Sequence, residues 1–309
     1  MGTLAKRTDH LDWSRTICSC STTDRVRGPV YLGCLLGVPH IMIVSRAPDS
    51  QCDNNMNDIE AKSDLSATVA TSRDIIARVS EAFQTDWTRN PATPTRAALG
   101  KWIVTAKRHL SAMIVLAEQN DLWTVSHSHH RQIFEILLQV RHFIQAQTGQ
   151  HSRLAQKVSA SGCLEFLHQL ESIKDHPKVR PGYEEMTDLL SKYDSDVIEE
   201  LEAQRAKGRH HWFGTSFTKL ARRVSRSGEN LASVYGILSS EHHGVWDLTI
   251  GVASPTPGEL DFRGYPDIES NFQRAADLVD EATQRYVQIW NDVAQFVGAP
   301  SVDIELEQK

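Results

Sequence analysis

From Asn57 to residue 297 the apolar residues return every three or four positions, with few interruptions. A period of about 3.6 belongs to helices that bury one side, so the chain is expected to fold almost without strands. A first helix over 58–84 sets Ile59, Leu65, Val69, Ile75, Ile76, Val79 and Phe83 on one face. Pro91 and Pro94 mark a loop, because each disfavours helix in the residue before it. In a second helix, 95–118, residues such as Leu99, Trp102, Ile103, Leu110 and Met113 cover much of the circumference, which predicts a central position. A third helix follows over 122–147 and a fourth over 151–174. A fifth, 182–206, carries Met186, Leu190, Tyr193, Val197 and Leu201 at near-heptad spacing among acidic residues, as an outer helix would. Two short helices, 215–226 and 229–243, flank Ser227-Gly228, and a last one over 268–297 stops at Gly298 and Pro300. Residues 245–266 alternate Trp246, Leu248, Ile250 and Val252 before a run rich in Pro and Gly, which predicts a short extended segment and a loop. The expected fold class is all-α: a single helical bundle of about eight helices over 57–300, with 301–309 as a tail.

The first 55 residues read differently. They hold four of the five cysteines, Cys18, Cys20, Cys34 and Cys52, and no sustained period. Cys18-Ser19-Cys20 lacks zinc-knuckle spacing, and the apolar stretch from Val30 to Val44 is broken by Gly33, Gly37 and Pro39. The expectation for 1–55 is a disordered or spurious extension, with Met56 as a natural start. The composition, 40% hydrophobic and 23% charged with a net charge of −6, is that of a globular chain rather than a disordered one. No apolar run is long enough to span a membrane, and a cytoplasmic protein is expected.

Charge is segregated. From Glu184 to Glu202 there are eight acids and one base; from Arg205 to Arg226 there are seven bases and no acid. These blocks could neutralise each other across the Gly208 turn. Alternatively Arg205, Lys207, Arg209, Lys219, Arg222, Arg223 and Arg226 form an anion-binding patch for RNA or a protein partner.

The third helix carries a polar stripe, His127, Arg131 and Glu135 at four-residue steps with His142 beyond, beside Ile133, Ile136, Leu137 and Val140. A charge in so apolar a helix needs a partner. The 229–243 helix offers one: Tyr235, Ser239 and His242 share a side, while His243 points elsewhere. A core network of Arg131, Glu135, Tyr235, Ser239 and His242 is therefore expected, either as a structural register or as a ligand site.

Three elements accompany these residues: Arg131 to Glu135, Trp212-Phe213-Gly214, and Tyr235 to Ser239 followed by His243-Gly244. On them the chain resembles a bacterial family of all-helical domains of unknown function, over roughly 100–260. The resemblance implies a fold class and no known activity, and it favours His243 as the family's histidine, so both histidines stay in the candidate set.

Enzyme patterns are thin. Arg205 followed by His210 and His211 fits the Arg…His spacing of HEPN-type helical ribonucleases, but a chain this rich in Arg and His produces such spacings by chance. Glu165-x-x-His168 is only one of the two motifs a di-iron bundle needs, and helix geometry fans out His127, His129 and His130. Neither metal nor cofactor is expected. The leading expectation is a module that binds a ligand or partner in the groove between the third helix and the 229–243 helix. The alternative is a HEPN-like, metal-independent ribonuclease acting in stress or defence.

Overall fold

The computed structural model describes residues 54–119, 126–209, 211–242 and 268–303. The extended segment expected over 245–266 and most of the first 55 residues lie outside them. The described residues form nine helices and no strand: α1 (Asn54–Arg89), α2 (Pro94–Ala117), α3 (Ser126–Ile144), α4 (His151–Leu170), α5 (Arg180–Leu190), α6 (Ser195–Ala206), α7 (Phe217–Val224), α8 (Leu231–His242) and α9 (Ile268–Val297). The fold is all-α, as its periodicity predicts.

Helix α1 runs against α9, and α9 also packs on α2 and α3. The pattern of α1 explains this: Leu65, Val69, Ile75 and Val79 are all buried, with Ser72 in the same seam. There the Thr283 hydroxyl of α9 donates to Ser72 Oγ at 2.9 Å. Helix α9 is buried around much of its circumference, and its Tyr286 and Trp290 are the largest fully buried side chains. Centrality is therefore shared between α2 and α9.

The α1–α2 turn is closed by local chemistry. The Thr93 side chain caps α2 by accepting from the Arg96 amide, and Pro94 occupies the first turn, where its missing N–H costs nothing. Arg96 pairs with buried Asp86 and lies 4.4 Å from the Trp87 ring. Gly100 allows the close approach: a Cβ there would meet Trp87 Nε1 at 2.9 Å.

One expected helix is two. The 182–206 pattern breaks between Leu190 and Ser195, so nine α-helices stand among the described residues where about eight were expected. The Lys192 and Tyr193 amides bond back to Leu189 and Leu190, the Ser191 hydroxyl to the Asp188 carbonyl, and Asp194 turns extended as the N-cap of α6. Both pieces then lie on α4. Only Val197 and Leu201 of the near-heptad set become fully buried; α5 has no buried residue. After α9 the chain doubles back. Val302 is buried, exchanging two hydrogen bonds with the Asn291 side chain, and the Asp303 carbonyl accepts from Arg78.

Candidate functional site

Helix α3 meets α7 and α8 along one side and α9 and α2 along others. Its polar stripe therefore faces other helices. Arg131 Nε donates to Glu135 Oε1 at 2.8 Å, one turn along α3. Arg131 Nη2 donates to the Tyr235 hydroxyl of α8 at 3.0 Å, and that hydroxyl donates to Glu135 Oε1 at 3.3 Å. Glu135 and Tyr235 are buried, at 7% and 8% exposure. Burial pushes the Tyr235 phenol above its ordinary range and the Glu135 carboxylate adds to the rise. For Arg131 burial acts the other way, but the Glu135 contact outweighs it and the guanidinium is held more firmly charged.

The structure thus brings together three residues of the expected network. Ser239 lies half-buried one turn beyond Tyr235 and makes no hydrogen bond to Arg131, Glu135 or Tyr235 among the described residues. His242 closes α8, but its side chain lies outside the described set, as does His243. Phe217, at the start of α7, stacks on Tyr235 with ring centres 5.7 Å apart, so α7 is attached to the same node.

His142, the far end of the stripe, stacks with Trp212 at 5.4 Å. Burial, with help from the nearby Arg223 charge, lowers its pKa from 6.5 to about 4. Trp212 belongs to the Trp-Phe-Gly element, and that element acts as a wedge. The Trp212 indole N–H donates to Gln139 at 2.8 Å and the ring lies against Trp102 and Phe143. Gly214 follows at φ +66°, where a side chain would be strained and would crowd Gln204.

The basic block does not act as a unit. Arg205 pairs with Glu165 at 3.0 Å and Arg226 with Asp292 at 2.6 Å. Lys207 and Arg209 are exposed around Gly208, which turns at φ +70°. Lys219, Arg222 and Arg223 form the outer face of α7, whose inner face is Phe217, Leu220, Ala221 and Val224. Nor do the two charge blocks cancel across Gly208 among the described residues. Acids of α6 turn to α4 instead: Asp196 pairs with Arg153, and Glu200 with Arg153 and Lys157. His211 stacks on Phe213 with ring centres 4.9 Å apart.

Sequence reasoning missed Arg141. It is 3% exposed and donates to Asp292 of α9 at 2.9 Å and to Glu229 at 2.7 Å. The Arg226 side chain closes on Asp292, and its amide donates to Glu229. Burial alone would raise the Glu229 carboxyl, but the Arg226 amide and the Arg141 charge hold it below its usual range. A second missed pair is His109 on α2 with His129 on α3, Nδ1 to Nδ1 at 2.9 Å. Both titrate low, His109 through burial and then the His129 charge.

Bundle, wedge and arginine nodes define an all-helical module in which short α7 and α8 are pinned to α3. The chain belongs to a family of unknown function, DUF5677, whose model matches residues 96–253, from the first turn of α2 past the end of α8. No curated protein and no solved structure matches it.

Two outcomes follow from the site. Arg131→Ala leaves Glu135 buried without its cation and is expected to cost about 2–3 kcal/mol, against about 1 kcal/mol for Tyr235→Phe. Urea unfolding of the single and double variants checks both values, and the two changes are expected to be non-additive. His142 is protonated near pH 6.5 in the unfolded chain but only near pH 4 when folded. Its contribution is therefore complete above pH 6.5 and is lost as the pH falls toward 4. The drop in Tm between pH 7 and about 5 should shrink in His142→Phe, measured by differential scanning calorimetry.

Proposed function

We propose that this chain is a cytoplasmic binding module, and that its recognition surface is the α7–α8 side of α3, fitted to an acidic segment of a protein partner. The observation that carries the reading is the outer face of α7. Lys219, Arg222 and Arg223 stand exposed there, and none meets a carboxylate among the described residues, while neighbouring Arg205 and Arg226 are held in ion pairs. Arg131 adds a guanidinium held on the α8 side of α3. Among the described residues it uses two of its five N–H donors, and Phe217 and Tyr235 tie its position to α7.

A short acidic peptide suits this surface better than a long polyanion. Eight residues of α7 extend only about 12 Å. The Tyr235 phenol, raised by burial, keeps its proton at neutral pH and serves as a hydrogen-bond donor rather than as a base.

The test uses the full chain and fluorescence anisotropy with a short fluorescein-labelled Glu-Leu repeat peptide. Saturable, salt-sensitive binding is expected, weakened about tenfold by the triple change Lys219→Gln, Arg222→Gln, Arg223→Gln. Equal binding by the triple variant, or no binding at all, overturns the reading. Cleavage of a labelled single-stranded RNA without metal would replace it with the ribonuclease alternative.

A further inference from the structure

A second place in the molecule combines an opening with chemistry that the α7–α8 face does not use. A cavity of about 430 Å³ lies where α1, α2 and α9 meet, on the opposite side of α2 from the Trp212 wedge's contact with Trp102. Its size falls in the range of small-molecule sites. Phe83 and Ile103 form apolar walls, and Val104, 37% exposed, stands at the mouth. Lys107 and Arg108 border the same space, and neither meets a carboxylate among the described residues.

Tyr286 of α9 gives the cavity a directional donor. The residue is fully buried and lines the cavity, yet its hydroxyl closes no hydrogen bond. A buried hydroxyl without a partner is costly, and native structures seldom keep one without a reason. Burial pushes this phenol far above its ordinary range, with the nearby Ser80 offsetting only part of the rise, so it remains an O–H donor. The Ser80 hydroxyl beside it is already engaged, donating to the Ile76 carbonyl and accepting from Lys107 Nζ at 2.9 Å, and closes no bond of good geometry to the phenol. That bond uses one of three ammonium N–H donors and holds the Lys107 head at the cavity.

We infer that this cavity binds a small organic acid with an apolar body, such as a medium-chain carboxylate. The hydrocarbon lies against Phe83, Ile103 and Val104, one carboxylate oxygen accepts from the Tyr286 hydroxyl, and the negative charge meets Lys107 and Arg108. This arrangement satisfies the orphaned donor and neutralises a cationic mouth at once. It is independent of the α7–α8 surface, and either can fail without the other.

The test is isothermal titration calorimetry of the full chain with sodium decanoate, with decanol and decyltrimethylammonium as uncharged and cationic counterparts. Decanoate is expected to bind saturably and to raise Tm. Lys107→Gln and Tyr286→Phe are each expected to weaken it about tenfold, the size of one charge-assisted hydrogen bond. Tyr286→Phe removes a hydroxyl that closes no bond of good geometry, so the ligand-free Tm should hold or rise, which separates lost binding from lost folding. Equal affinity for decanol, decanoate binding unchanged in both variants, or no saturable binding overturns the inference. Loss of binding in Tyr286→Phe with a collapsed ligand-free Tm would also count against it, because it would make the hydroxyl structural.

Discussion

Arg141 is a permanent charge with almost no access to water, and the arrangement of the second half of the chain follows from what it requires. A guanidinium in that position must meet carboxylates, and it meets two from distant parts of the sequence: Asp292 of α9 and Glu229 just before α8. Breaking such a set by removing one member costs about 3–5 kcal/mol. The turn between α7 and α8 is therefore held against α9 through α3. Arg226, which looks in sequence like one more base in a basic run, completes the node by binding Asp292. Ten residues earlier on the same helix, Arg131 repeats the device toward α8 through Tyr235.

Between these two arginines, α3 works as a rail. Its apolar residues Ile133, Phe134, Leu137, Leu138 and Val140 are completely buried and supply the burial energy. Its arginines add direction, which apolar contact lacks. The consequence is a short amphipathic α7 that cannot turn its basic face inward. Phe217, Leu220, Ala221 and Val224 are locked in the core, so Lys219, Arg222 and Arg223 face outward and meet no carboxylate among the described residues. His142 belongs to the same logic: stacked on Trp212 and near Arg223, it stays neutral where a proton would add a second positive charge.

Much of this was legible in the sequence wherever the partners were local or the pattern was periodic. The helical period located the helices, and the four-residue step from Arg131 to Glu135, with a hydroxyl on a second apolar helix, was enough to pair them with Tyr235. Arg141 escaped because a basic residue in the last turn of a helix already has an ordinary explanation in the helix dipole. Its partner Asp292 lies 151 residues away, a separation that no local pattern reveals. The split between α5 and α6 was hidden by apolar spacing that ran through it, although Asp194-Ser195 is a recognisable helix start. The adjacent charge blocks misled in a similar way. Adjacency in sequence suggested mutual neutralisation, whereas the α6 acids found Arg153 and Lys157, some 40 residues earlier, because α6 packs on α4.

The central claim is that two arginines on α3, buried Arg141 and half-buried Arg131, fix α7 and α8 in place. Amide hydrogen exchange on the full chain, comparing the native protein with Arg141→Gln, tests it most directly. The account predicts that exchange accelerates over 217–242 and in the middle of α9 around Asp292, while α1, α2 and α4 keep their protection. Unchanged protection over 217–242, or an even loss across all the helices, would contradict it.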